Sequence, residues 1–176
     1  MLPGGVFHSA RRASGQVLYT GYVAPKPGRA SARRADTIVA SIGGGRFGHE
    51  LAEAVVAAAP LLAERIPHRI KLYTGPFCPA NVEAGLRASA HGQRNLSIER
   101  FVPDLAQRIG EAALSISMGG YNSTMDVLAT GVRAMMMGCA NNSGMDQVAR
   151  VEELGRLGVV EVIRAEDLAP SRLAQR

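Results

Sequence analysis

Tryptophan is absent from these 176 residues, aromatic side chains make up only 5%, and cysteine occurs just twice. So few aromatic faces exclude a single-strand nucleic-acid binder built on base stacking. Cys78 and Cys139 stand apart, without CxxC spacing or a histidine partner. They read as small packing residues rather than metal ligands, a single disulfide between them stays open, and a reducing, cytoplasmic compartment is expected. No run of eighteen apolar residues occurs, which excludes a conventional transmembrane helix. The opening MLPGGVFHSARR lacks the apolar stretch expected of a secretory signal.

Acidic residues are missing from the first 35 positions, which carry Arg11, Arg12, Lys26, Arg29, Arg33 and Arg34. The remainder holds 14 basic against 15 acidic residues, so the net charge of +5 belongs to the leader and the rest is close to neutral. A nucleic-acid partner is therefore not expected. Residues 11–34 are a candidate for peripheral contact with an acidic membrane, at the inner face of the cell membrane. Each clustered Lys or Arg adds roughly 1 kcal/mol near such a surface. A solvated linker is an equal alternative.

Hydrophobic residues, at 47%, are sufficient for one packed domain. Residues 1–35 read as an irregular lead-in or interdomain linker, with Pro3-Gly4-Gly5 and Pro25-Lys26-Pro27-Gly28 around a short apolar run, Val17–Val23. Residues 36–176 read as alternating strands and helices. Strands are expected at Thr37–Ile42, Arg69–Thr74, Leu96–Phe101, Ala113–Met118, Arg133–Met137 and Val159–Ile163. Helices are expected at Glu50–Arg65, with Pro60 as a kink or boundary, and at Asn81–Ala90, Asp104–Glu111, Ser123–Ala129, Asp146–Leu157 and Ala165–Leu173. Strands separated by single helices predict an α/β fold, a Rossmann-like parallel sheet with helices on both faces. Ligands of such sheets gather at the carboxyl ends of the strands, which here bring Gly43–Gly45, Phe101-Val102, Met118–Gly120 and Gly138 to one edge.

Two segments at that edge carry chemistry. Gly43-Gly44-Gly45-Arg46-Phe47-Gly48 follows the first strand; glycines admit an anion close to the backbone, and Arg46 would neutralise a diphosphate. The loop is neither a GxGxxG fingerprint nor a P-loop, so hydride transfer and Walker-type hydrolysis are poor readings. Met118–Asp126 (MGGYNSTMD) is more specific. Gly119 and Gly120 precede a helix whose first turn holds Asn122 and Ser123, where free N–H groups and the dipole favour phosphate. Asp126, three to four residues on, shares their face and is placed to accept hydrogen bonds from a ribose diol. Simple N-capping is the alternative reading of Asn122 and Ser123. Tyr121 and Met125 read as packing residues.

MGGYNSTMD resembles the HCGWNSTLE signature of nucleotide-sugar glycosyltransferases of the GT-B fold. The layout that follows, from Leu128-Ala129-Thr130-Gly131-Val132 to Asp146-Gln147, is similar as well, as is Val102-Pro103-Asp104-Leu105 before it. The resemblance runs from about Thr37 to Ile163 and is strongest to the family 28-like group that includes the lipid-linked N-acetylglucosaminyltransferase of peptidoglycan synthesis. It implies the C-terminal half of a GT-B fold that binds a UDP-sugar as donor substrate, with no metal. By the same resemblance, the backbone around Phe101 and Val102 pairs with the base and Asp126 takes the ribose. Gly43, Gly44, Gly45, Arg46, Gly119, Gly120, Asn122 and Ser123 hold the diphosphate, and Asp146 and Gln147 bind sugar hydroxyls. Three departures are visible: Met118 stands where many plant and animal relatives have His, Asp126 where Glu is usual, and Gly138-Cys139 where a proline is usual.

No residue reads as a catalytic base; His49 and His91 read as surface or structural. The resemblance implies a hexosyltransferase moving a hexose or N-acetylhexosamine to an unknown acceptor, together with an N-terminal acceptor-binding domain or partner subunit. The chain alone is then expected to be inactive or weakly active. A nucleotide-sugar 2-epimerase half-domain and a non-catalytic nucleotide-binding or assembly module remain the alternatives. The epimerase would need further carboxylates facing the sugar, of which no clear set is present.

Overall fold

The computed structural model describes residues 35–139 and 145–176. The chain alternates from its first described residue: β1 (Ala35–Ser41), α1 (His49–Ala63), β2 (Arg69–Tyr73), α2 (Ala80–Ser89), β3 (Leu96–Glu99), α3 (Leu105–Glu111) and β4 (Ala112–Met118). There follow α4 (Tyr121–Thr130), β5 (Ala134–Met137), α5 (Met145–Arg156), β6 (Glu161–Ile163), a 3-10 turn (Ala165–Leu168) and α6 (Pro170–Leu173). Among the described residues the strands form one sheet in the order β3-β2-β1-β4-β5-β6, parallel at every pairing. This is the expected α/β, Rossmann-like arrangement. The lead-in, residues 1–34 with Val17–Val23 and the basic cluster, lies outside the described residues.

Side chains alternate between the two faces with the strand period of two. Ile38, Ala40, Ile70, Leu72, Ile116 and Met135 pack with α1, with Leu86 of α2 and with Leu173 of α6. Val39, Tyr73, Ala134 and Met136 face the other way, onto Ile109 of α3, Val127 of α4, and Val151 and Leu154 of α5. Each fully buried side chain of the size of Leu72 or Ile70 contributes roughly 1.5–3 kcal/mol. In α1 the buried stripe is largely Ala52, Ala54, Ala58 and Ala59, small enough to bring the helix close to the sheet. Pro60 does not end α1; it is exposed and lies in the last turn, so the N–H it lacks costs one bond and the helix runs on to Ala63.

Three boundaries differ from expectation in ways that matter. β3 ends at Glu99, leaving Phe101 in a loop, because beyond it only Arg100 still pairs, accepting from the Gly75 N–H at 2.8 Å. α4 begins at Tyr121 rather than Ser123. The expected last helix splits at Pro170, whose missing N–H separates the 3-10 turn from α6.

The turns after β1 and β2 are pressed together. Gly75 has φ +86°, and a Cβ there would overlap the Gly43 carbonyl oxygen and come within 2.5 Å of the Gly44 carbonyl carbon. The Phe77 N–H donates to the Gly44 carbonyl at 2.9 Å and fixes the same approach. Gly75→Ala is expected to cost at least about 2 kcal/mol, combining left-handed strain with a backbone clash. Chemical denaturation of both proteins checks this; an unchanged midpoint would contradict the close approach.

Candidate functional site

The sheet reverses its winding between β1 and β4, and a cleft of about 560 Å³ opens at their carboxyl ends. Its walls are the turn after β1 (Gly43, Gly44), the turn after β2 (Gly75, Pro76), the loop after β3 (Arg100 to Pro103) and the first turns of α4. Of the residues expected from sequence, Gly43, Gly44, Phe101, Val102, Gly120, Asn122, Ser123 and Asp126 all line this one cleft.

α4 is built to leave its first turn open. Gly120 is its N-cap residue, with an extended backbone and no side-chain cap, so Asn122 and Ser123 are the second and third helical residues. The N-capping reading is therefore corrected: neither residue occupies the cap position. Their N–H groups lie in the turn that no intrahelical carbonyl reaches, and the Thr124 N–H that follows donates to the Gly120 carbonyl at 2.9 Å. Thr124 and Met125 are buried and hold the helix down, as expected of Met125. Tyr121, expected to pack, instead is 39% exposed and lines the cleft.

Asp126 lies one turn further along the same helix, half-buried. Burial pushes its carboxyl above the usual range, and no positive charge or hydrogen bond among the described residues offsets that. It is an acceptor without a donor, facing a cleft.

The remaining expected residues are placed elsewhere. Gly45 does not line the cleft; a Cβ there would overlap the Thr74 carbonyl and come within 2.7 Å of the Cys78 nitrogen, so this glycine serves backbone packing. Arg46 is exposed, lies 4.9 Å over the Phe77 ring and is not among the residues lining the cleft. Gly119 packs against Val151 of α5, which a Cβ would strike. Gln147 is half-buried on α5 with its Oε1 buried and unpartnered. Asp146 begins α5, but its side chain lies outside the described residues. His49 braces the first loop, with Nε2 2.9 Å from the Gly45 carbonyl. His91 is exposed, on the loop after α2. Met118 is buried with its sulfur against Gly48, so it serves packing. Cys78 and Cys139 are both free thiols.

Several cleft residues were not expected. Ser41 ends β1 opposite Ser117 of β4, and its Oγ accepts from the Gly43 N–H at 3.2 Å. Tyr73 ends β2 with a buried, unpartnered hydroxyl whose pKa is raised, first by burial and then by the charge of Glu99. Arg100 is held by Glu83 of α2, with its Nε 2.7 Å from the carboxylate, and Glu83 also accepts from Arg87 at 2.8 Å. Gly75-Pro76, a turn dipeptide after a strand, was a readable signal. All described phenylalanine and tyrosine side chains (Phe47, Tyr73, Phe77, Phe101, Tyr121) sit at this carboxyl edge or its rim.

The architecture is that of the C-terminal half of the GT-B fold. Acinetobacter baumannii MurG matches with a TM-score of 0.63 and 22% identity over 82% of this chain and 40% of its own. The calicheamicin glycosyltransferase CalG4 gives 0.60 and 17% over 92% of this chain and 37% of its own. The glycosyltransferase family 28 C-terminal domain matches residues 39–176, and the chain belongs to that family. Among curated relatives, the UDP-N-acetylglucosamine–N-acetylmuramyl-(pentapeptide) pyrophosphoryl-undecaprenol N-acetylglucosamine transferase of Rhizobium rhizogenes is 26% identical over 132 residues, 75% of this chain and 35% of its own. The Brucella anthropi protein of the same name is 27% identical over 135 residues, 76% of this chain and 35% of its own. The chain thus spans about a third of the length of the curated relatives it matches. Among the described residues no helix is long and apolar enough to cross a membrane.

Burial of Asp126 has a sign that can be tested. An unfolded aspartate ionises near pH 3.9, whereas the native carboxyl holds its proton to higher pH. Its contribution to stability is therefore fully present below about pH 3.9 and is lost as pH rises through the native value. Asp126→Asn is expected to melt higher than the natural chain at pH 7, with the gap closing toward pH 3.5. Thermal melts across that range decide it; a gap independent of pH would refute the burial argument.

Proposed function

We propose that this chain is the donor-binding domain of a glycosyltransferase that moves a hexose or N-acetylhexosamine from a UDP-sugar. The observation that carries this reading is the pairing, in one cleft, of α4's uncapped first turn with the donorless carboxylate of Asp126 one turn on. A nucleoside diphosphate fits both at once. The N–H groups of Asn122 and Ser123 and the positive end of α4 meet the diphosphate. Asp126 accepts from the ribose hydroxyls. The backbone of Phe101 and Val102 lies across the cleft, where a pyrimidine edge would pair with it. Gln147 and Asp146 are assigned to the sugar, on α5.

In transfer, negative charge accumulates on the departing diphosphate. Preorganised N–H donors at α4 stabilise that charge more than they stabilise the bound donor, which is the differential interaction catalysis needs. The acceptor and the base that removes its proton are supplied by an N-terminal domain or partner subunit, so transfer requires that half. Residues 1–35 act as the linker or leader, and residues 11–34 as a peripheral contact with an acidic membrane. The activity for which the Rhizobium and Brucella relatives are named supports a UDP-N-acetylhexosamine donor and a lipid-linked acceptor.

Calorimetric titration with UDP tests the site. Saturable binding is expected, weakened about 10- to 100-fold in Asp126→Ala, the range for losing hydrogen bonds to a charged acceptor. Equal affinity in the two proteins would remove Asp126 from the site, and no binding by a folded chain would defeat the donor-domain reading.

A further inference from the structure

Arg150, on α5, is only 7% exposed. Its Nη1 donates to the Gly119 carbonyl at 2.8 Å, its Cζ lies 6.0 Å from the centroid of the Tyr121 ring, and its Nε is buried without a partner. None of the ion pairs among the described residues includes it. A guanidinium taken out of water needs a counter-charge or a full set of acceptors, and among the described residues this one meets the Gly119 carbonyl and the Tyr121 ring, with its Nε unpartnered. It also sits behind the turn that starts α4, where the helix dipole is positive. Two positive features packed against one another disfavour the empty state unless an anion joins them.

We infer that Arg150 is a positioning and charge-balancing residue for the diphosphate. It holds the Gly119-Gly120-Tyr121 turn from the α5 side and supplies positive charge that an anion at the start of α4 neutralises. Arg150 does not line the cleft, so it acts through the turn and through its field rather than by touching the reacting atoms. Gln147, one turn earlier on α5, leaves its Oε1 buried and unpartnered as well, consistent with an interior arranged for a ligand. This inference rests on the donor-site reading of the cleft.

The test compares UDP, uridine and inorganic pyrophosphate on the natural chain, Arg150→Met, Arg150→Lys and Asp126→Ala, with ligand-free melting temperatures. Arg150→Gln, which retains a donor for the Gly119 carbonyl, replaces Arg150→Met should the latter not fold. Arg150→Met (or Gln) is expected to lose tenfold or more in affinity for UDP and pyrophosphate and to stay within twofold for uridine. Its ligand-free melting temperature is expected to be unchanged or higher, because a buried charge lacking a carboxylate has been removed. Arg150→Lys should recover part of the phosphate affinity. A purely structural tether would instead lower the ligand-free melting temperature and weaken UDP and uridine in parallel, and that result overturns the inference. UDP binding weakened by Asp126→Ala but not by Arg150→Met overturns this inference alone, whereas a natural chain binding neither UDP nor pyrophosphate overturns the donor site with it.

Discussion

The parallel pairing of β1 with β4 is the constraint on which the rest depends. The chain lays β1, β2 and β3 outward in one direction, then returns to place β4 on the opposite edge of β1. The helix after β1 covers one face and the helix after β4 covers the other, so the two connections part where the strands end. A crevice is the unavoidable result. Ser41, paired in register with Ser117, lines the crevice at that point with a small polar side chain, where a larger apolar one would fill it.

Around this crevice a carboxylate and a phenol lack, among the described residues, the partners that carboxylates elsewhere in the molecule have. Glu83, Glu153 and Asp167 are matched to arginines, and their carboxyls titrate below the usual range. Asp126 has no such match and Tyr73 leaves its hydroxyl unpaired. Buried polar groups without partners cost stability. Asp126 and Tyr73 both line the crevice, whereas His68 and Gln93, each with an unpartnered buried atom as well, stand before β2 and β3 at the opposite end of the sheet.

Element order was legible because β-branched runs and an Ala-rich amphipathic segment differ in period, and parallel topology follows from their alternation. Residues lining the cleft were legible where the pattern is local, as with Asn122, Ser123 and Asp126 on one helical face. Glycine was the weak guide. Gly43 and Gly44 reach the cleft, yet Gly45 and Gly119 are needed for close packing, and both uses look alike in sequence. Arg46, expected from sequence beside a glycine loop to meet a diphosphate, lies over the Phe77 ring, a contact that its sequence neighbours do not reveal. Arg150 was invisible for the opposite reason: an arginine in mid-helix reads as a solvated position until the packing of α5 on Gly119 is known. Ser41 and Tyr73 were hidden as ordinary strand residues, since nothing local says that a strand's last residue floors a crevice.

The placement of the described phenylalanines and tyrosines has an optical consequence. With no tryptophan in the chain and these rings gathered at the carboxyl edge, the near-ultraviolet circular dichroism contributed by the described residues originates almost entirely there, Phe7, Tyr19 and Tyr22 lying outside them. The aliphatic interior is silent at those wavelengths. A change in that spectrum therefore reports rearrangement around the crevice and says little about whether the sheet beneath it is intact, while far-ultraviolet ellipticity follows the sheet and helices.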